Sequence, residues 1–278
     1  MDVWRLLPFR KADAAENMAV DEAIFRESIR RKVSPTLRFY GWLTPVVSIG
    51  YFQDARREID IEGCRRLGIG LVRRPTGGKA VLHDQELTYA VVASPEQPLF
   101  PPDILRTYRV ISKCLARGLS GIGIRTELKA EGRSPAGESL RTSCFSTPSR
   151  YELLVNGRKL CGSSQMRSHG AFLQHGALLM AFDPQRTCAV MLPHRESEKQ
   201  AARLAESVTT VGELTGGSVD EPALCRSLRE GFEQELGIRF EEGGLTAEEE
   251  ALSRELMAKK YRNDNWNWEG SQSWMSGF

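Results

Sequence analysis

Asn156-Gly157 stands between two strand-like runs, Tyr151-Glu152-Leu153-Leu154-Val155 and Arg158-Lys159-Leu160-Cys161-Gly162. Asn and Gly accept the positive φ angles that a two-residue hairpin turn demands, so this dipeptide between apolar runs predicts a β-hairpin. The turn pairs Val155 with Arg158 and Leu154 with Lys159. Directly opposed residues share a face and sequence neighbours alternate. Lys159 therefore shares a face with Leu154, Glu152 and Cys161, and Leu160 lies with Leu153, Val155 and Arg158.

The flanking patterns set the fold class. Met18, Phe25 and Ile29 fall at helical spacing in 14–32, as do Leu105, Tyr108, Ile111, Leu115 and Leu119 in 103–119. A further helix is expected at 57–67, ending near Gly68, and others at 185–191, 197–206, 220–236 and 246–261. Short β-rich runs occupy 36–42, 46–51, 69–74, 79–83, 86–94 and 172–182. The order is not a regular βαβ alternation. It predicts an α+β fold with a central mixed, largely antiparallel sheet flanked by helices. A single domain is expected over 1–262. The Asn/Trp/Ser/Gly-rich 263–278 reads as a flexible tail in which the part around Trp266 docks.

The chain has 278 residues, 41% hydrophobic and 27% charged, enough to bury a sizeable core. Its 38 basic and 36 acidic residues leave a net charge of +2, without the basic excess of a nucleic-acid binder. No apolar run approaches a membrane span, and Met1-Asp2-Val3-Trp4-Arg5 lacks the plan of a signal peptide. A cytoplasmic protein without membrane contact is expected. The six cysteines show no CxxC spacing, so neither a metal site nor a disulfide framework is expected.

The chemistry concentrates in three places. Arg73-Arg74-Pro75-Thr76-Gly77-Gly78 runs on through Lys79 to His83-Asp84. Gly77 and Gly78 permit close backbone approach to a ligand, and the arginines suit an anionic or polar partner. The segment fits neither GxGxxG nor GxxxxGK[ST], and a tight hairpin turn is the alternative reading. His83 reads as a base or an orienting group, or as a structural histidine. The second place is 129–149, rich in Gly, Ser, Pro, Thr and Arg, a loop of a length that is usually functional or disordered. It holds Cys144, whose polar, Arg-flanked setting favours a thiolate; Cys161 is its rival. The third is Lys159, a solvated strand residue or a cation aimed at an oxyanion.

Taken together these residues resemble the lipoate–protein ligase and lipoyl transferase family. The family's Arg-Arg-x-x-Gly-Gly-x-x-Val-x-His-Asp pattern stands at Arg73 to Asp84, and its Gly-(Arg/Lys)-Lys-x-x-Gly-Ser pattern at Gly157 to Ser163. Leu37 to Trp42, Ser48 to Gln53 and Gln174-His175-Gly176 also match. The resemblance implies the biotinyl/lipoyl-transferase fold. It implies an acyltransferase moving octanoate from octanoyl-acyl carrier protein to a lysine of a lipoyl domain, such as the glycine cleavage H protein. Lys79, where ATP-dependent ligases usually carry a third glycine, and the Cys144-Phe145 loop point to this branch.

On this reading Cys144 is the nucleophile, forming an octanoyl-Cys144 thioester, and Lys159 is the second catalytic residue. Arg73, Arg74, Gly77, Gly78, His83, Gly162 and Ser163 bind substrate. No metal or other cofactor is implied. The alternatives are an ATP-dependent lipoate ligase, an amidotransferase moving octanoate between lipoyl domains, and a non-catalytic lipoyl-domain binder.

Overall fold

The computed structural model describes residues 1–30, 33–128, 152–192, 197–217 and 220–270. The 129–149 loop, and with it the Cys144 assignment, lies outside the described residues. The chain opens with β1 (Val3–Ala12) and α1 (Ala14–Arg30), followed by β2 (Thr36–Trp42) and β3 (Val46–Ile49). The helix expected over 57–67 is two short helices, α2 (Ala55–Glu58) and α3 (Ile61–Arg66). Asp60 causes the break: its side chain accepts from the Gly63 amide as a fresh N-cap.

Next come β4 (Gly70–Arg73), β5 (Val81–His83), β6 (Glu86–Ala93), α4 (Ile104–Gly121) and β7 (Glu127–Leu128). The hairpin is β8 (Leu153–Val155) and β9 (Arg158–Lys159), with Leu154 opposite Lys159 and Val155 opposite Arg158, the register expected from the sequence. Asn156 and Gly157 both take positive φ, 50° and 75°. The chain continues through β10 (Cys161–Ser168), β11 (Ala171–Leu179), α5 (Pro184–Ala189), α6 (Ser197–Ser207), α7 (Val211–Thr215) and α8 (Glu221–Leu236). It closes with β12 (Arg239–Glu242), α9 (Ala247–Leu256) running into a π-helical turn at Met257–Tyr261, and α10 (Asp264–Glu269).

The main sheet has the order β10-β11-β6-β2-β1-β12. Its β10–β11, β11–β6 and β6–β2 pairs are antiparallel, and β2–β1 and β1–β12 are parallel. This is the mixed, largely antiparallel sheet read from the sequence. Strand alternation sends Leu37, Phe39, Tyr89 and Val91 to one face, against α4 and α8, and Tyr40, Ala90 and Val92 to the other, against α1 and α9. Helices α4 and α8 cross where glycines face each other: a Cβ on Gly231 would overlap the Gly118 backbone nitrogen.

Four strands escape the sequence patterns, among them the two-residue β7. Pro8 interrupts β1, and the register shifts between Leu7 and Arg10, a bulge of the kind that admits proline. β10 is a polar edge strand, and β12 is four residues long. Trp266 of α10 is buried, docked as expected, and 271–278 lies outside the described residues.

Candidate functional site

A second, small sheet of order β4-β3-β5 forms one wall of the site, and β10 with β11 forms the opposite wall. Arg74 follows β4 and ties the Pro75–Lys79 turn together. Its guanidinium donates to the carbonyls of Ser48 (3.0 Å), Gly77 (2.7 Å) and Lys79 (2.8 Å), and to Ser48 Oγ (3.1 Å). Gly78 sits at φ 93°, and a Cβ on Gly50 would overlap the Gly78 carbonyl oxygen. Glycine is therefore needed at both places for the turn to close over β3.

Two hydrogen-bonded rows meet at this wall. In the first, His83 Nε2 lies 2.7 Å from Ser48 Oγ and His83 Nδ1 lies 2.6 Å from Glu86 Oε1. A carboxylate accepts, so Nδ1 carries the proton and Nε2 accepts from the Ser48 hydroxyl. The Trp42 ring stacks on the imidazole at 4.2 Å, and its Nε1 donates to Glu86 Oε1 at 3.1 Å. Thr88 Oγ1 donates to the same oxygen at 2.6 Å, while Glu86 Oε2 is buried without a hydrogen-bond partner.

In the second row, Thr76 Oγ1 lies 2.7 Å from both Ser164 Oγ and His175 Nε2, and His175 Nδ1 reaches Asp21 Oδ2 at 3.2 Å. Arg38 (2.7 Å) and the Tyr40 hydroxyl (2.8 Å) complete the Asp21 carboxylate. Burial works to raise the Asp21 carboxyl, but Arg38, His175 and Tyr40 outweigh it and hold it below the usual range. Burial holds the His175 imidazole below its ordinary value, against the pull of Asp21.

Ser48, Arg74, His83, Ser163, Ser164 and His175 all border one small cavity. Met18, Val81 and Ala177 are among its apolar lining, and Gly162 of β10 and Gly176 of β11 also border it. Mixed polar and apolar lining suits a chain with a polar head.

Lys159 is buried, and its Nζ donates to Glu152 Oε1 at 2.6 Å, the partner on its own hairpin face. It is not a solvated strand lysine. Arg158, on the opposite face, is held by the Val208 carbonyl at 2.9 Å and by Glu213. Cys161, the rival nucleophile, is buried, with Ser163 Oγ 3.9 Å from its sulfur. Burial pushes its thiol up to about 12; Ser163 and Lys159 pull down, and Glu152 and Glu86 push up. Burial likewise pushes Cys64 up to about 11 and Cys225 to about 12, and raises Cys114 and Cys188. None of the five described cysteines is an activated thiol.

The structure thus brings Arg74, His83, Gly162 and Ser163 to one cavity, with Gly77 and Gly78 in the turn beside it. Arg73 points elsewhere. Its guanidinium is buried and donates to the carbonyls of Gly50, Tyr51, Gln53, Trp266, Asn267 and Trp268, clamping α10 onto β4. Asp84 turns to Arg186 at 2.8 Å. Sequence reasoning gave no role to Ser48, Glu86, Thr76 or Asp21. Ser48 and His175 stood in family-like segments, but only the fold shows which hydroxyl meets which imidazole. Among the described residues no His, Cys, Asp and Glu cluster could hold a metal, and no helix is long and apolar enough to cross a membrane.

Known proteins resemble this chain over nearly all of it. The chain is 44% identical over 273 residues to the octanoyltransferase LipM of Kyrpidia tusciae, covering 96% of this chain and 99% of that protein. It is 40% identical to the octanoyltransferase LipM of Geobacillus kaustophilus, over 96% and 98% of the two chains. A bipartite lipoate protein ligase from Thermoplasma acidophilum, solved in a study with its E2 lipoyl domain, superimposes with a TM-score of 0.80 at 30% identity, over 98% of each chain. The family model of the lipoyl protein ligase A/B catalytic domain matches residues 13–233. With that match spanning both walls of the cavity, the chain belongs to the lipoyl protein ligase A/B catalytic-domain family.

Proposed function

We infer that the protein is an octanoyltransferase of lipoate biosynthesis, passing octanoate from octanoyl-acyl carrier protein to a lysine of a lipoyl domain such as the glycine cleavage H protein. The observation that carries this reading is the near full-length identity to octanoyltransferases. Residues 1–262 act as one catalytic unit, in the cytoplasm.

The transfer has two halves. The Cys144 thiolate attacks the carrier-protein thioester, the carrier thiol leaves, and an octanoyl-Cys144 thioester forms. The acceptor lysine amine then attacks that thioester, forming the amide and releasing Cys144. The first half exchanges like for like, and the second runs downhill, so no ATP is needed. Support for Cys144 comes from the other cysteines, whose thiols burial pushes up. Lys159, paired with Glu152, stabilises thiolate and oxyanion; such a donor is typically worth about 10²–10³ in rate. The cavity beside Arg74 and Ser163 takes the acyl chain, each buried CH₂ contributing about 0.8 kcal/mol. Gly77, Gly78 and His83 shape its polar end, and Arg73 supports them from outside the cavity by holding the Gly50, Tyr51 and Gln53 carbonyls.

A ligase reading has one observation in its favour, the 30% identity to the Thermoplasma lipoate protein ligase. A donor comparison separates the two. Octanoyl-carrier protein without nucleotide is expected to octanoylate the lipoyl domain, and free octanoate with ATP and magnesium is expected to fail. The reverse pattern selects the ligase.

A further inference from the structure

We propose that Trp266 and Asn267 of α10 are positioning residues for the acyl cavity: acting through Arg73, they fix the turn that Arg74 ties together, and with it the discrimination between acyl chains of different length. The inference rests on the reading that the cavity takes the acyl chain, and it adds the element that holds one wall in place.

β4 is an edge strand of the small sheet, with β3 on one side only. Successive residues of such a strand turn their main-chain groups alternately toward the partner and away from it. The Arg74 N–H faces β3 and donates to the Ile49 carbonyl at 3.0 Å. Arg73 faces outward, where an edge strand leaves N–H and C=O without a neighbour. α10 takes both. The Arg73 N–H donates to Asn267 Oδ1 at 3.0 Å, and the Trp266 indole N–H donates to the Arg73 carbonyl at 3.0 Å. A short helix thus stands where a further strand would, at the residue before Arg74.

Arg73 carries a second link. Its side chain is buried, and its guanidinium donates to the carbonyls of Trp266, Asn267 and Trp268 on one side and of Gly50, Tyr51 and Gln53 on the other. A buried charge is costly to leave short of acceptors, so α10 and the 50–53 loop hold their places together. That loop supports the ligand turn: the Tyr51 N–H donates to the Thr76 carbonyl at 2.9 Å. Thr76 Oγ1 in turn lies 2.7 Å from Ser164 Oγ and His175 Nε2, which both border the cavity. α10 therefore reaches the wall twice, through the main chain into Arg74 and through the guanidinium into Thr76. Trp266 is itself anchored: Lys260 Nζ lies 3.9 Å from its ring centre and pairs with Glu22 of α1 at 2.8 Å. Because α1 packs on β6 and β11, the clamp refers the wall at Arg74 to the same frame as the wall opposite.

The spacing of the walls decides how many methylenes are packed. Each buried CH₂ supports about a fourfold preference, and two support about 15-fold. Transfer to the glycine cleavage H protein is compared for hexanoyl- and octanoyl-carrier protein, using the full chain. The parent should favour the octanoyl donor in kcat/KM by about 15-fold. Trp266→Phe keeps a ring and removes the donor to Arg73, and Asn267→Ala removes the acceptor. Each is expected to cut the preference to about fourfold or less. A ratio of donors measured on one preparation does not depend on how much of the protein is folded, so lost stability alone leaves it unmoved. Leu228→Ala, buried in the α4–α8 interface, is the control. It should lower unfolding free energy in urea and keep the parent ratio. A parent without preference, a parent-like ratio in both α10 variants, or an equal fall in Leu228→Ala overturns the positioning role. A parent that transfers from neither donor overturns the acyl-transfer reading beneath it.

Discussion

Lys159 shows how a single residue's role changes once its surroundings are known. As a strand residue after a turn it reads as solvated; in the fold it is buried beside Glu152. Removing one member of a buried pair typically costs about 3–5 kcal/mol, because the other charge is stranded. Lys159→Met should therefore both slow acylation and lower unfolding free energy in urea. Lys159→Met with Glu152→Leu should recover most of the stability and none of the rate. Recovery of rate in the double variant would reduce Lys159 to a structural cation. Arg73 teaches the converse. Its motif marks it as a ligand residue, yet six main-chain carbonyls, three of them in or next to a helix almost two hundred residues away, occupy its guanidinium. Local sequence carries no sign of so distant a partner.

At the scale of elements, most of what positions the site was readable. The hairpin register, the long amphipathic helices and strands β2 and β6 follow from turn chemistry and periodicity. What escaped did so for stated reasons: Pro8 masks β1, Asp60 restarts a helix, and β10 is polar because one side of it lines a cavity. The turn from Pro75 to Lys79 depends on Gly50 passing beneath Gly78. Gly50→Ala should displace that turn, costing at least about 1–3 kcal/mol, as overpacking usually does, and should abolish turnover. A crystal structure of Gly50→Ala with the turn unmoved, or full activity, would contradict the close approach.

For the whole molecule, the His175–Asp21 row couples stability to pH. Burial holds folded His175 below its ordinary value, so between that lowered value and about pH 6.5 the unfolded chain binds a proton that the folded chain refuses. Stability thus falls as pH drops through that window. Asp21 is held low in the fold, so its contribution is present above about pH 3.9 and lost below it. Urea unfolding from pH 7.5 to 5.0 should show the first decline, and His175→Gln should flatten it; an unchanged slope would assign the decline elsewhere. Everything proposed for catalysis turns on a covalent acyl group at Cys144. Intact-mass and peptide mapping after mixing with octanoyl-carrier protein tests that most directly. One octanoyl group on Cys144, absent from Cys144→Ser, which should then transfer nothing, is the predicted result. Acyl at another residue, or undiminished transfer by Cys144→Ser, would contradict it.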